Sequence, residues 1–282
     1  GKTYYNGQGK VGQGEVAYRN MRRLWASDAC CRGELKMARP MAYQCADRLL
    51  WQEGLPGRTL LSIARDGNLR RCLVERTAKA VAALHRSDIA CTEEVGIDRI
   101  LGKLETTRAL IAVAQPGCAI AVSEVVDRLV AKAPDGSRAS KATVHRDLHP
   151  KNIIVDADEL AIIDLDDLAR GPALQDIGSF VATMLCRAML QGVPLVDVER
   201  TVESFLRCYG VQVPWPLPPA EIAWHTAAAL IAERAFRCVT RLKPGHFAIL
   251  ADVIALADRI ARSPDARSAW YVLEPGRASD AR

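Results

Sequence analysis

The run Thr143-Val144-His145-Arg146-Asp147-Leu148-His149-Pro150-Lys151-Asn152-Ile153-Ile154-Val155-Asp156, followed by Leu160-Ala161-Ile162-Ile163-Asp164, restricts the fold more than any other part of the chain. Residues 152–155 and 160–163 are short and rich in β-branched apolar side chains, and the polar stretch Asp156-Ala157-Asp158-Glu159 separates them, so they predict a β-hairpin. Antiparallel pairing brings the start of the first strand beside the end of the second. Asn152 and Asp164 are then expected on neighbouring strands, roughly 4.8 Å apart, at the open end of the hairpin. An amide oxygen and a carboxylate meeting there suit a hard, oxygen-seeking cation such as Mg²⁺, which takes one or two protein ligands and completes its shell with phosphate and water. Another carboxylate, Asp147, lies a few residues earlier in a loop that Pro150 keeps from being a regular helix. A base and two metal-seeking groups are thereby gathered on one loop and one hairpin.

This set matches the phosphoryl-transfer template, in which an aspartate takes or orients the proton of the acceptor hydroxyl while an asparagine and an aspartate hold Mg²⁺ on the nucleotide phosphates. The string His145-Arg146-Asp147-Leu148-His149-Pro150-Lys151-Asn152 resembles the catalytic loop of the protein-kinase-like superfamily. The segments Ile163-Asp164-Leu165-Asp166-Asp167 and Gly171-Pro172-Ala173-Leu174-Gln175-Asp176-Ile177-Gly178 resemble the aminoglycoside phosphotransferase and choline kinase branch. A surface hairpin that merely carries acids would leave these spacings unexplained. The resemblance implies an α/β (α+β), protein-kinase-like two-lobed fold, with a small β-rich N-lobe and a larger, mainly helical C-lobe. In chain order this gives a partial N-lobe over 1–52, a connector over 53–57, the C-lobe over 58–262 and a tail over 263–282. The N-lobe is expected to be incomplete, because the glycine-rich hairpin that precedes the lysine strand in the resembled fold has no counterpart here.

Composition narrows the classes further. The chain has 282 residues, of which 49% are hydrophobic and 25% charged, an ordinary globular balance. A net charge of +5 favours anionic ligands only mildly, and with 5% aromatics and no basic run interleaved with them, nucleic-acid binding has little support. Nine cysteines without a CxxC pair suggest free thiols in a reducing compartment. No signal peptide and no apolar run approaching about 20 residues is found, so the cytoplasm is the expected location and a membrane span is not expected.

Lys2-Thr3-Tyr4-Tyr5 predicts a strand and Asn6-Gly7 a turn. Residues 15–25 predict a helix with Val16, Tyr18, Met21, Leu24 and Trp25 on one face. In the resembled fold a strand lysine pairs with a helix glutamate and contacts the phosphates, which implies Lys2 and Glu15; a solvent lysine at a terminus is the alternative. Gly7-Gln8-Gly9-Lys10-Val11-Gly12 fits G-x-G-x-x-G, but no βαβ alternation follows it. Gly1-Lys2-Thr3 does not run into a helix as a P-loop would. Short strands are expected over 40–45 and 47–52. Gln52-Glu53-Gly54-Leu55-Pro56-Gly57 then breaks regular structure, and the resemblance implies that the backbone of this connector meets the adenine edge of ATP at Glu53 and Leu55. Helices are expected over 74–85, 97–114, 120–133, 175–191, 196–209, 220–241 and 247–262.

The remaining assignments follow from the same motifs. Asp147 is the expected catalytic base, and Asn152 and Asp164 the Mg²⁺ ligands. Strand alternation puts Asp166 on the face of Asp164, as a supporting group or a solvated acid. By resemblance Asp176 is the helix-start aspartate that ties down the catalytic-loop backbone, and His145 is a scaffold residue of that loop. His149 would line the acceptor pocket. A zinc site at His145 and His149 would need one helix with a glutamate between them, and the loop supplies neither. His85, on an apolar helix face, reads as a satisfied core residue, although an Ala-Leu-His ending is frequent in the resembled kinases.

Asp-Leu-Asp replaces Asp-Phe-Gly, and the stretch from Asp164 to Asp176 is too short for an activation loop, which favours a small hydroxyl-bearing acceptor over a protein. The resemblance implies that the helices around Glu233 supply the acceptor pocket, and there they carry Arg234, Arg237, Arg241 and Lys243. Glu233 and Arg237 are therefore pocket candidates, and their surroundings lean toward a neutral or anionic acceptor rather than a polycation. The sequence-level expectation is an ATP- and Mg²⁺-dependent small-molecule kinase. A catalytically weak nucleotide-binding scaffold and a protein kinase are the alternatives.

Overall fold

The expected hairpin forms, and its neighbours in space come from distant parts of the chain. The computed structural model describes residues 2–3, 12–65, 70–136, 141–157, 159–241 and 244–263. Tyr4 and Tyr5, the turn Asn6-Gly7, the glycine motif up to Val11, Lys243 and the tail beyond Ser263 lie outside the described residues. In order, the first part contains β1 (Lys2–Thr3), α1 (Gln13–Trp25), α2 (Asp28–Cys31), β2 (Lys36–Met37), β3 (Pro40–Gln44), β4 (Leu49–Gln52), β5 (Arg58–Thr59), α3 (Leu60–Arg65) and α4 (Arg71–Arg86). Then follow α5 (Ile97–Ala114), α6 (Ala119–Ala131), β6 (Lys141–Val144), β7 (Ile153–Asp156), β8 (Glu159–Ile162), β9 (Ala169–Pro172) and α7 (Ala173–Gln191). The last helices are α8 (Leu195–Gly210), α9 (Pro219–Ala229), α10 (Phe236–Thr240) and α11 (Leu250–Arg262). Among the described residues no helix is long and apolar enough to cross a membrane.

The chain packs as two units. The first comprises residues 1–95, 140–176 and 204–215, and the second residues 96–139, 177–203 and 216–282. This differs from the chain-order division at the connector, and sheet pairing is the reason. In the first unit β2 lies parallel to β8, and β5 lies antiparallel to β7, so residues on both sides of the connector share one sheet with the hairpin, in the order β2-β8-β7-β5. A second sheet, β1-β4-β3, is antiparallel, and β6 pairs with β9. The connector ends at Gly57, whose φ of 112° only glycine adopts freely, and an added Cβ there would collide with the Val155 carbonyl. β2 and β5 are two residues long, too short to show a strand period in the sequence.

α1 begins two residues earlier than expected and is turned relative to the predicted face. Ala17, Asn20, Met21 and Leu24 are buried, whereas Trp25 is 40% exposed. In the second unit, α6, α9 and α11 pack together. Trp224 Nε1–H donates to the Leu129 carbonyl (2.8 Å), and Arg128 pairs with Asp258 (3.2 Å). The helix expected over 220–241 is interrupted by a π-helical turn, Leu230–Ala235, between α9 and α10.

Gly178 of α7 lies against the backbone of α9, where an added Cβ would sit 2.5 Å from the His225 carbonyl carbon and 2.6 Å from its oxygen. A helix-interior glycine costs roughly 1 kcal/mol relative to alanine, so close approach explains the residue. Gly178→Ala is expected to lower the unfolding free energy by about 1–3 kcal/mol despite its better helix propensity. Urea unfolding measures it, and a stabilised variant would contradict the packing described.

Candidate active site

β6 delivers the chain into the loop at His145, and β7 takes it out after Asn152. The His145 ring is fully buried and donates from Nε2 to the Ile163 carbonyl (2.8 Å), which ties the loop to the residue before Asp164. Its Nδ1 then accepts from the Asp147 N–H at 3.4 Å. Asn152 closes the loop from the other end. Its Nδ2–H donates to the Asp147 carbonyl (3.0 Å), and its own backbone carbonyl accepts from the Ile163 N–H (2.9 Å). With the amide nitrogen so occupied, the side-chain oxygen is the atom Asn152 can offer a cation.

Two non-glycine residues of this region have left-handed backbones, Arg146 (φ 71°) and Asp164 (φ 62°). Such positions carry strain and persist where surrounding contacts impose them. For Arg146 the contacts are evident. Its N–H donates to Asp176 Oδ1 (2.8 Å), and its guanidinium pairs with Glu93 (2.6 Å) and reaches the Asp167 carbonyl (3.4 Å). Asp176, at the start of α7, is fully buried and also accepts the His145 N–H (2.6 Å) and His85 Nε2 (3.1 Å). Burial opposes charge on this carboxyl, but the hydrogen bonds it accepts from the His85 ring and the His145 backbone outweigh it and hold the group below the usual carboxylate range.

Lys2 comes to the opposite side of the hairpin mouth. Its Nζ lies 2.6 Å from Asp164 Oδ1 and 2.5 Å from Asp166 Oδ2. Partial burial of the ammonium acts against its charge, yet the two carboxylates raise its pKa above the ordinary value. The ammonium marks a point on which two carboxylates converge, and Asn152 and Asp164 line one cavity. No group of three or more His, Cys, Asp or Glu side chains suited to a metal occurs among the described residues. Two carboxylates and an amide fit Mg²⁺, which keeps phosphate and water in its shell, better than a cation that needs a closed protein cage.

Glu15 is not brought to Lys2: it sits on the exposed face of α1 and pairs with Arg19 (3.0 Å). From α1, Asn20 reaches the segment that follows Asp164: it is buried and donates to the Leu168 carbonyl (3.2 Å). Its only sequence signal is a polar residue within the buried stripe. Glu53 and Leu55 line a cavity of about 360 Å³ together with Ala38, Asn152, Ile163 and Asp164, so connector and hairpin mouth share one pocket. The Glu53 N–H donates to the Arg39 carbonyl (2.9 Å).

His149 is mostly buried, with Nε2 3.5 Å from Asp147 Oδ2 and a buried Nδ1 that has no hydrogen-bond partner among the described residues. Glu233 and Arg237 belong to the second unit. Glu233 lies in the π-helical turn and accepts from Ser179 Oγ (2.7 Å) and Arg234 (2.6 Å), while Arg237 lies on α10.

A family model described as the phosphotransferase enzyme family (APH) matches residues 17–193, a span that includes the connector, the loop, the hairpin and Asp176. Among solved structures, a choline/ethanolamine kinase family protein from Mesorhizobium loti is similar with a TM-score of 0.60 at 15% identity, covering 94% of this chain and 83% of that one. A ternary complex of a thermostable mutant of aminoglycoside phosphotransferase APH(4)-Ia with ADP and hygromycin B gives 0.60 at 16% identity, covering 90% and 84%. Choline kinase LicA from Streptococcus pneumoniae gives 0.56 at 13% identity, covering 91% and 84%. At these identities the likeness concerns the fold, which is mixed α/β and kinase-like. A search of curated proteins finds no match.

Proposed function

The chain belongs to the phosphotransferase enzyme family, and from that premise we propose that it transfers the γ-phosphate of ATP to a hydroxyl group of a small molecule. The observation that carries this reading is the shared pocket of about 360 Å³, in which the connector at Glu53 and Leu55 meets Asn152 and Asp164. ADP in a complex of a relative with the same fold supports nucleotide as the ligand of this pocket.

Asp147 accepts the proton of the acceptor hydroxyl as its oxygen forms a bond to the γ-phosphorus. The bond from that phosphorus to the β,γ-bridging oxygen breaks, and ADP leaves. Asn152 and Asp164 would hold Mg²⁺, and Asp166 joins them through the convergence marked by Lys2. The chemistry such an ion would supply is positive charge to offset the negative charge that develops on the transferring phosphate. Lys2 contributes a further positive charge for the phosphates. Since the Glu53 N–H is occupied by Arg39, adenine contacts fall to the Glu53 carbonyl and the Leu55 backbone. His149 faces the acceptor beside Asp147. The net charge of +5 favours a neutral or anionic hydroxyl compound over a polycation.

Calorimetric titration of ATP with and without Mg²⁺ tests the nucleotide and metal assignments together. The wild-type chain is expected to bind ATP at least about tenfold more tightly with Mg²⁺, a difference of about 1.4 kcal/mol, and Asp164→Ala is expected to lose that difference. Equal Mg²⁺ dependence in the two proteins would remove Asp164 from the metal site.

A further inference from the structure

The histidine of α4 is wired to more than the catalytic loop. His85 is buried, with Nε2 3.1 Å from Asp176 Oδ2 and Nδ1 2.7 Å from the hydroxyl of Tyr209, which lies in the last turn of α8. Tyr209 is fully buried, and its ring is fixed from two sides. It stacks on Phe205 at 6.2 Å and 10° and meets the His85 ring edge-on at 5.6 Å and 81°. The hydroxyl therefore has little freedom to leave Nδ1.

The proton positions follow from this geometry. Asp176 is held as a carboxylate and can only accept, so the hydrogen between it and His85 belongs to Nε2. Burial pushes the Tyr209 phenol above its ordinary range, so it keeps its proton and has one to donate. A neutral imidazole with hydrogen on Nε2 has a lone pair on Nδ1, which matches that donor.

We propose that Tyr209 is a positioning residue that fixes His85 in its neutral Nε2–H tautomer, and through it the Asp176 carboxylate on which the left-handed Arg146 of the catalytic loop depends. The part of this concerning turnover rests on the phosphotransfer reading above; the tautomer itself does not. Without the hydroxyl, the same tautomer buries an unpaired lone pair, and the opposite tautomer aims a lone pair at the carboxylate. Either way Asp176 loses part of what holds its orientation, and its bonds to the His145 and Arg146 N–H groups loosen.

Tyr209→Phe removes only the oxygen and is the variant to use. Nitrogen-15 NMR of histidine-labelled protein reads the tautomer directly, with His85→Gln assigning the signal. The wild type is expected to show His85 protonated on Nε2 alone, and Tyr209→Phe to lose that single pattern. Amide exchange at Arg146 is expected to accelerate about tenfold in the variant, and kcat to fall about tenfold while KM for ATP stays within about twofold. A loss of packing alone would shift the thermal midpoint without altering the tautomer.

An unchanged tautomer with unchanged Arg146 exchange would overturn the proposal. So would a wild-type spectrum with hydrogen on Nδ1, which decides the matter even if the variant does not fold. If the tautomer changes in a protein that turns over no acceptor, the role of Tyr209 stands and the phosphotransfer reading fails.

Discussion

Asp147→Asn is expected to lower kcat for phosphate transfer by roughly 10²- to 10⁴-fold, the range for loss of a positioned proton acceptor, with ATP affinity nearly unchanged. The substitution is selective because of how the loop is built. Asn152 bonds the backbone carbonyl of residue 147, and His145 accepts from its backbone N–H, so neither contact uses the carboxylate. The carboxylate itself is partly exposed, with His149 Nε2 3.5 Å away. Asparagine keeps the shape and removes the basicity. Steady-state turnover with titration of ATP separates the two effects, and a loss in kcat of less than about tenfold would remove Asp147 from proton transfer.

The largest stability effect is expected at Asp176. Replacing it with alanine strands three buried donors, the N–H groups of His145 and Arg146 and the Nε2–H of His85. Breaking a buried charged cluster from one side costs about 3–5 kcal/mol, and the same change frees the strained backbone of Arg146. Urea unfolding at neutral pH is the measurement, with Asp176→Asn expected to fall between alanine and wild type. The pH dependence has a fixed sign. A carboxyl whose folded pKa is depressed stabilises fully above its unfolded value, about 3.9, and this contribution is lost as pH falls through the lower folded value. Wild type should therefore lose its advantage over Asp176→Ala below about pH 4, and a constant difference down to pH 2 would contradict the assignment.

Much of the candidate site was legible because it is local. Asp147, Asn152 and Asp164 lie within one loop and one hairpin whose apolar strands are short and distinctly bounded, so spacing alone brings them together. Long helices such as α5, with a clear period, were found at their observed limits. What escaped depends on contacts between distant residues or on small rotations. Glu15 had the right chemistry and position in the sequence, but the buried stripe through Ala17, Met21 and Leu24 turns it outward and brings Asn20 inward. The sequence leaves Asp166 open between metal support and a solvated acid, and in the structure Lys2 bridges it to Asp164. Tyr209 and His85 are separated by 124 residues, and no local pattern joins a tyrosine at the end of one helix to a histidine at the end of another. The two-residue strands β2 and β5 have no periodicity to read, although they put the hairpin into a sheet with residues on either side of the connector.

Acceptor-dependent turnover decides whether the chain transfers phosphate to a hydroxyl group. The chain is incubated with ATP and Mg²⁺ and a panel of neutral and anionic hydroxyl compounds, and phosphorus NMR follows the products. The expected result is a new phosphate monoester that appears in step with ADP, needs Mg²⁺, and forms far more slowly with Asp147→Asn. ADP and inorganic phosphate without any ester, or ester formation that Asp147→Asn leaves unchanged, would contradict a hydroxyl-directed phosphotransferase acting through this loop.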